Sequence, residues 1–230
     1  MELTLLEVRD LTVKYGQRTV LSDVTLEADQ GVTALIGLNG EGKTTLLKAI
    51  AGLIPFSGHV NVSPRQTREQ IDAVHFAPQF SPSVRSLRLG EVLAYLAILD
   101  GLPKGDAESA ANNALERVGL SGEPASMRLS QLSGGMSKRF LIAQSLLTPA
   151  AVLLLDEPTS GLDPAQRRGV GELSVSLKES YAVVFSTHQM IEVVEWADRF
   201  VWLSNGQIRA QGETSSVTAK DLDGLLESAK

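Results

Sequence analysis

The stretch LIGLNGEGKTTLLKAIAGL, residues 35–53, constrains this chain more than any other. Gly37 through Gly42, Lys43 and Thr44 fit the spacing G-x-x-x-x-G-K-[ST], a loop that cradles phosphate with backbone amides. Gly37, Gly40 and Gly42 let the chain curl until successive N–H groups point inward, and the positive end of a following helix adds to the field. Lys43 is then a point charge for the outer phosphates, and the Thr44 hydroxyl is available to Mg²⁺. VTALIG before the loop reads as a buried strand and TTLLKAIAGL after it as a helix, which separates this motif from an ordinary glycine-rich turn.

At 230 residues the chain can bury a sizeable core, as one large domain or a domain with a subdomain. The formal charge of −6 and the scattered basic residues show no electrostatic stripe, so a nucleic-acid partner is not expected. Without cysteine there is no disulfide, no zinc–thiolate site and no thiol nucleophile. Glu2 and Glu7 stand where a signal peptide carries positive charge, so a secretory leader is not expected either. The longest wholly apolar run, VLAYLAIL at 92–99, is far short of the ~18 residues that span a bilayer. Any membrane role is expected to come through a partner.

From Glu2 to about Ala28 the pattern alternates as an antiparallel sheet with one buried face would. VTALIG, DAVHFAP, AVLLLDE and YAVVFSTH then read as buried parallel strands, each ending in polar residues where such sheets place ligands. Between Pro82 and about Leu147 the periodicity turns helical, an inserted helical unit, and the tail from Glu213 reads as a short terminal helix.

AVLLLDEP, residues 151–158, runs apolar residues into Asp156 and Glu157. Neighbouring strand side chains point to opposite faces, so the two acids cannot do one job: one can serve a metal, the other a water. Alone this would be a solvated acidic turn. Together with residues 37–45, LSGGM at 132–136, SGLD at 160–163 and STH at 186–188, the sequence resembles the ATP-binding subunit of ABC transporters along essentially its whole length. The resemblance implies an α/β fold: a P-loop NTPase (RecA-like) core, an N-terminal antiparallel β subdomain and an inserted α-helical subdomain. It implies a single domain over 1–230, with core segments 1–81 and 148–230 and the helical subdomain at 82–147.

The resemblance also implies roles. Residues 37–45 correspond to the Walker A loop, so that Asn39, Gly40, Glu41, Gly42, Lys43, Thr44 and Thr45 meet ATP. Asp156, with Thr44 and Gln79, corresponds to the Mg²⁺ site, Gln79 matching the glutamine that touches both the metal and the lytic water. Glu157 corresponds to the catalytic glutamate that polarises water, joined by His188 as the switch histidine that contacts the γ-phosphate. Tyr15, in VKYG, corresponds to the aromatic residue on which adenine stacks. Ser133, Gly134 and Gly135 correspond to the signature segment that completes the site of an opposite subunit, and Asp163 to the loop coupling the two sites. Read without the family, Ser133 is simply a good helix cap.

The match departs in two places. Met136 stands where the family most often has glutamine, which bears on helix packing more than on phosphate contacts. Glu41 stands where a small residue is usual, and a carboxylate there repels phosphate unless it turns away. The expected function is a cytoplasmic Mg²⁺-dependent ATPase, peripheral on the inner face of the membrane, driving a separate integral membrane permease as a pair of cassettes. The stretch SGGMSKRFLIAQSLL and the compact length look more like the exporter-type subunits that serve separately encoded permeases for drugs, peptides or antibiotics. A soluble cofactor-assembly ATPase is the alternative, and a plain P-loop kinase or GTPase explains neither LSGGM nor STH.

Overall fold

The computed structural model describes residues 4–63, 74–78, 86–218 and 224. Strands β1 (Thr4–Tyr15) and β2 (Arg18–Asp29) form a hairpin closed by a Tyr15–Arg18 pair, with Gly16 at positive φ in the turn. After β3 (Gly31–Ile36) and α1 (Lys43–Ile50) the chain adds β4 (Ser57–Val62) to the other edge of β1. This gives a three-stranded antiparallel sheet in the order β2-β1-β4.

β5 (Val74–Ala77), β6 (Val152–Leu155), β7 (Ala182–Thr187), β8 (Arg199–Ser204) and β9 (Gln207–Glu213) join β3 in a six-stranded sheet ordered β5-β6-β7-β3-β8-β9. Every pairing in it is parallel except β8 with β9. Among the described residues the α-helices between β5 and β6 are α2 (Leu89–Leu99), α3 (Lys104–Arg117), the short α4 (Glu123–Ser126) and α5 (Gly134–Gln144). α6 (Pro164–Ser176) and α7 (Met190–Trp196) make the crossovers that follow β6 and β7.

Side-chain alternation along the central strands divides the core in two. Leu35, Val152, Leu154, Val184 and Leu203 face a layer built from α1 and the antiparallel sheet. Ala34, Ile36, Leu153, Val183 and Phe185 face the helices on the other side. Strands covered on both faces read as continuous apolar runs, which is why VLLL and AVVF lack alternation. The register sets β3 against β7 from Gly31–Ala182 to Ile36–Thr187, and β6 against β7 up to Leu155–Phe185. The loops after Ile36, Leu155 and Thr187 therefore emerge side by side.

The expected antiparallel start, the four parallel strands and the helical insertion are all present. Strands β4, β8 and β9 and helices α6 and α7 add to them, while the expected tail helix, residues 82–85 and Gln79 lie outside the described residues. Where α6 meets α7, Gly171 lies so close to Trp196 that a β-carbon would overlap the indole ring. Gly171→Ala gains about 1 kcal/mol of helix propensity but incurs the larger cost of overpacking, about 1–3 kcal/mol, so the denaturant midpoint is expected to fall.

Candidate nucleotide site

The loop after β3 rises from a buried Gly37, whose β-carbon would come within 2.6 Å of the Leu203 carbonyl oxygen; no larger residue fits there. Gly40 and Gly42 have φ of 90° and 104°, turning the backbone over before α1 begins. Asn39 and Gly40 form its exposed tip. Lys43, buried at the first turn of α1, donates from Nζ to the carbonyls of Gly37 at 2.7 Å and Leu38 at 3.0 Å. Its ammonium thus folds back across the loop it follows.

Burial holds the Lys43 ammonium below the usual lysine range, opposed by the carboxylates of Glu157, Asp156 and Glu41. Glu41 itself does not face the loop interior. Its Oε2 accepts the backbone N–H of Asn205, in the turn between β8 and β9. That bond turns the carboxylate toward the β8–β9 turn and anchors the loop there. Thr45 continues α1, partly buried.

Asp156 follows β6 and is 3% exposed. The Thr44 hydroxyl donates to its carboxylate, 2.9 Å from Oδ2 and 3.1 Å from Oδ1, and the Ser186 hydroxyl donates to Oδ1 at 2.8 Å. Both donors are neutral, so the buried negative charge is solvated without being cancelled. A hydroxyl and a carboxylate side by side are hard oxygen donors of the kind Mg²⁺ takes alongside phosphate and water. Among the described residues no cluster of three His, Asp or Glu side chains forms an all-protein metal cage.

Glu157 has φ of +45°, a left-handed conformation unusual outside glycine. Its N–H donates to Ser186 Oγ at 2.9 Å and its carbonyl accepts from Lys138 Nζ at 2.8 Å. His188, just past β7, holds Nδ1 3.8 Å from Glu157 Oε1. Behind them the wholly buried Glu192 of α7 accepts hydroxyls from Thr159 at 2.7 Å and Thr187 at 2.6 Å, joining the segment after Glu157 to the strand end before His188.

Lys43, Thr44, Asp156, Glu157 and His188 thus meet at one end of the parallel sheet. Tyr15, 53% exposed at the end of β1, presents its ring to solvent. Ser133 caps α5 by accepting from Met136 N–H at 3.2 Å, with Gly134 exposed and Gly135 packed toward Gln166. Asp163 caps α6, accepting from Ala165 and Gln166 at 3.0 and 2.9 Å. Neither cap touches the loop residues through any hydrogen bond described here. Gln79 lies outside the described residues. The sequence reading missed Ser186, Lys138, Glu192 and Asn205. Ser186 left a trace as a polar residue ending an apolar strand; the others did not.

A phosphate-cradling loop on a parallel sheet, beside a hydroxyl–carboxylate pair and a following glutamate, defines a P-loop nucleoside triphosphatase. Residues 21–160 match the family described as ABC transporter. The uncharacterized ABC transporter ATP-binding protein YxlF of Bacillus subtilis (strain 168) is 34% identical over 211 residues, covering 91% of this chain and 71% of that protein. From the same organism, the linearmycin resistance ATP-binding protein LnrL is 30% identical over 94% of this chain and 71% of its own length. The phosphate import ATP-binding protein PstB 2 is 31% identical over 92% and 85%. A solved structure of an ATP-binding subunit of an ABC transporter superposes with TM-score 0.80 at 29% identity, over 98% of this chain and 99% of that one. The chain belongs to the ABC transporter family and is its ATP-binding ATPase subunit. The relatives include both resistance and import proteins, so kinship alone sets no direction of transport.

The unfolded chain carries Lys43 with the ordinary value of 10.5, and the folded chain holds it lower. Between the two values the unfolded state binds more protons, so the Lys43 contribution to stability rises with pH across that window. The urea midpoint of the nucleotide-free wild type relative to Lys43→Met is expected to climb as pH approaches 10.5. A falling difference would contradict burial as the dominant cause.

Proposed function

We propose that this subunit hydrolyses Mg²⁺-ATP within a head-to-tail pair of identical cassettes and thereby drives export of a drug, peptide or antibiotic through a separate membrane permease. The observation that carries the reading is the convergence of Lys43, Thr44, Asp156, Glu157 and His188 at one sheet end. Tyr15 offers its exposed ring to adenine. The amides of residues 39–45 and the start of α1 take the phosphates, with Lys43 swinging from the Gly37 and Leu38 carbonyls toward them.

Thr44 and Asp156 hold Mg²⁺, aided by Gln79. The bound ion neutralises charge on the phosphate oxygens. Glu157 orients the attacking water and takes up its proton, and His188 contacts the γ-phosphate from the β7 side. Ser133, Gly134 and Gly135 reach the nucleotide held by the partner cassette, and Asp163 lies in the loop joining the two sites. Glu41 is turned onto the Asn205 N–H.

The chain divides into a core, 1–81 and 148–230, and a helical subdomain, 82–147, which contains α2–α5. Between them a cleft of about 330 Å³ is lined by Leu53, His75, Phe76, Leu96 and Gln144 among others. Leu53, in its lining, is 59% exposed, and Tyr95 and Leu99, on the helix that supplies Leu96, are 63% and 80% exposed. We place the permease contact here, with the chain cytoplasmic and peripheral on the inner face of the membrane. Among the described residues no helix is long and apolar enough to cross the bilayer itself. LnrL, named for resistance, is consistent with export, while PstB 2 is named for import.

Glu157→Gln is expected to lower kcat at least about a hundredfold while ATP still binds. Isolated from detergent-solubilised cells with Mg²⁺ and ATP, that variant should bring down a multi-span membrane protein; soluble partners alone would retire transport in favour of a cofactor-assembly role. Lys43→Ala is expected to abolish hydrolysis, and retained turnover would place the chemistry elsewhere.

A further inference from the structure

We infer that Lys138 is a positioning residue for hydrolysis, tying the helix that begins at Ser133 to Glu157 of the same chain. The inference rests on the proposed role of Glu157 and on the proposed trans contact of Ser133–Gly135.

Glu157 must leave an apolar strand in a left-handed conformation, with φ of +45°, and a side chain makes that conformation costly. Something must hold it. Ser186 Oγ takes its N–H at 2.9 Å, and the Ser160 N–H reaches its carbonyl at 3.2 Å. The same carbonyl accepts from Lys138 Nζ at 2.8 Å, the shortest of these bonds and a charge-assisted one. It is also the one among them that comes from outside the strand ends and their loops: Lys138 belongs to α5, in the helical layer.

The approach of Lys138 is fixed by its neighbour. Arg139 donates to the carbonyls of Val118 at 3.0 Å and Gly169 at 3.3 Å, pinning the rotation of α5 between α3 and α6. Gly119 and Gly169 leave room for that guanidinium, their added β-carbons lying 3.0 and 2.8 Å from it. Lys138 then points inward, where burial lowers the proton affinity of its ammonium against the pull of Glu157 and Asp156. Its charge lies within reach of both carboxylates of the site.

The geometry gives α5 two ends with different clients. Its first residues are the ones proposed to meet the partner's nucleotide. One turn later Lys138 grips the glutamate that works on the chain's own nucleotide. A shift of α5 on engaging the opposite site moves the Glu157 backbone, so occupancy of one site sets the water-orienting group of the other.

The test measures ATPase kinetics of the full-length chain with saturating Mg²⁺. Lys138→Met keeps the apolar stem and removes the ammonium; kcat is expected to fall about tenfold, with KM for ATP unchanged within about twofold. Lys138→Arg, which restores a charged donor, should recover kcat to within about threefold of wild type. If Lys138→Met does not fold, Lys138→Gln is read against the same limits. A fall in kcat smaller than about threefold in the uncharged variant, a change confined to KM, or no recovery with arginine would each overturn the tie. Glu157→Gln is assayed in parallel. Wild-type turnover there would defeat the proposed function, whereas its loss beside an unaffected Lys138→Met would defeat only this inference.

Discussion

A carboxylate buried at the end of an apolar strand must be supplied with donors, and the architecture of this site follows from how Asp156 obtains them. Thr44 comes from the helix after the phosphate loop and Ser186 from the neighbouring strand. Asp156 N–H in turn donates to the Ala77 carbonyl at the end of β5. One side chain thereby fixes the spacing of three loops. Both side-chain donors are neutral, so the charge is hydrogen-bonded but meets no lysine in a direct ion pair among the described contacts, and a cation has an electrostatic reason to enter. Of the two lysines whose charges act on Asp156, Lys43 donates to carbonyls of its own loop and Lys138 to the Glu157 carbonyl.

Around this centre the loops are held by backbone contacts rather than by bulk. Glu41 and Asn205 fasten the phosphate loop to the turn after β8, and Ser22 donates its N–H to the Gly206 carbonyl in the same turn at 2.9 Å. The hairpin that carries Tyr15 is therefore braced on the same support as the phosphate loop. Glu192 does the equivalent job on the other side, where two hydroxyls from different loops share one buried carboxylate. Removing either threonine would leave an acceptor short of a partner in a dry environment, which is why such groups come in matched sets.

Much of this was legible in the sequence because its cause is local. Gly40 and Gly42 are needed for positive φ, VLLL and AVVF for burial on both faces, and Ser133 for capping a helix. The family resemblance located Asp156, Glu157 and His188, and the register of three parallel strands brings them together. What stayed hidden depends on tertiary approach. Asn205 contributes a backbone N–H that any residue carries, Lys138 reads as one polar position on a helix, and Glu192 as an exposed charge on a short one. Strand β4 was obscured because most of SGHVNV is not buried, so no alternation marks it. The worry over Glu41 arose from proximity in sequence to the phosphate loop; its rotation toward β8 could be seen only in three dimensions.

The exposed Leu53 and the exposed Tyr95 and Leu99 of α2 carry a biological consequence of their own. Leu99, Tyr95 and Leu53 give water a greasy ledge that a self-sufficient protein of this size would cover. An orphaned copy advertises that ledge to chaperones and proteases, and to other orphans. Stoichiometric supply of whatever caps it would then govern how much of the polypeptide a cell can keep, making the amount of engine a function of the amount of chassis.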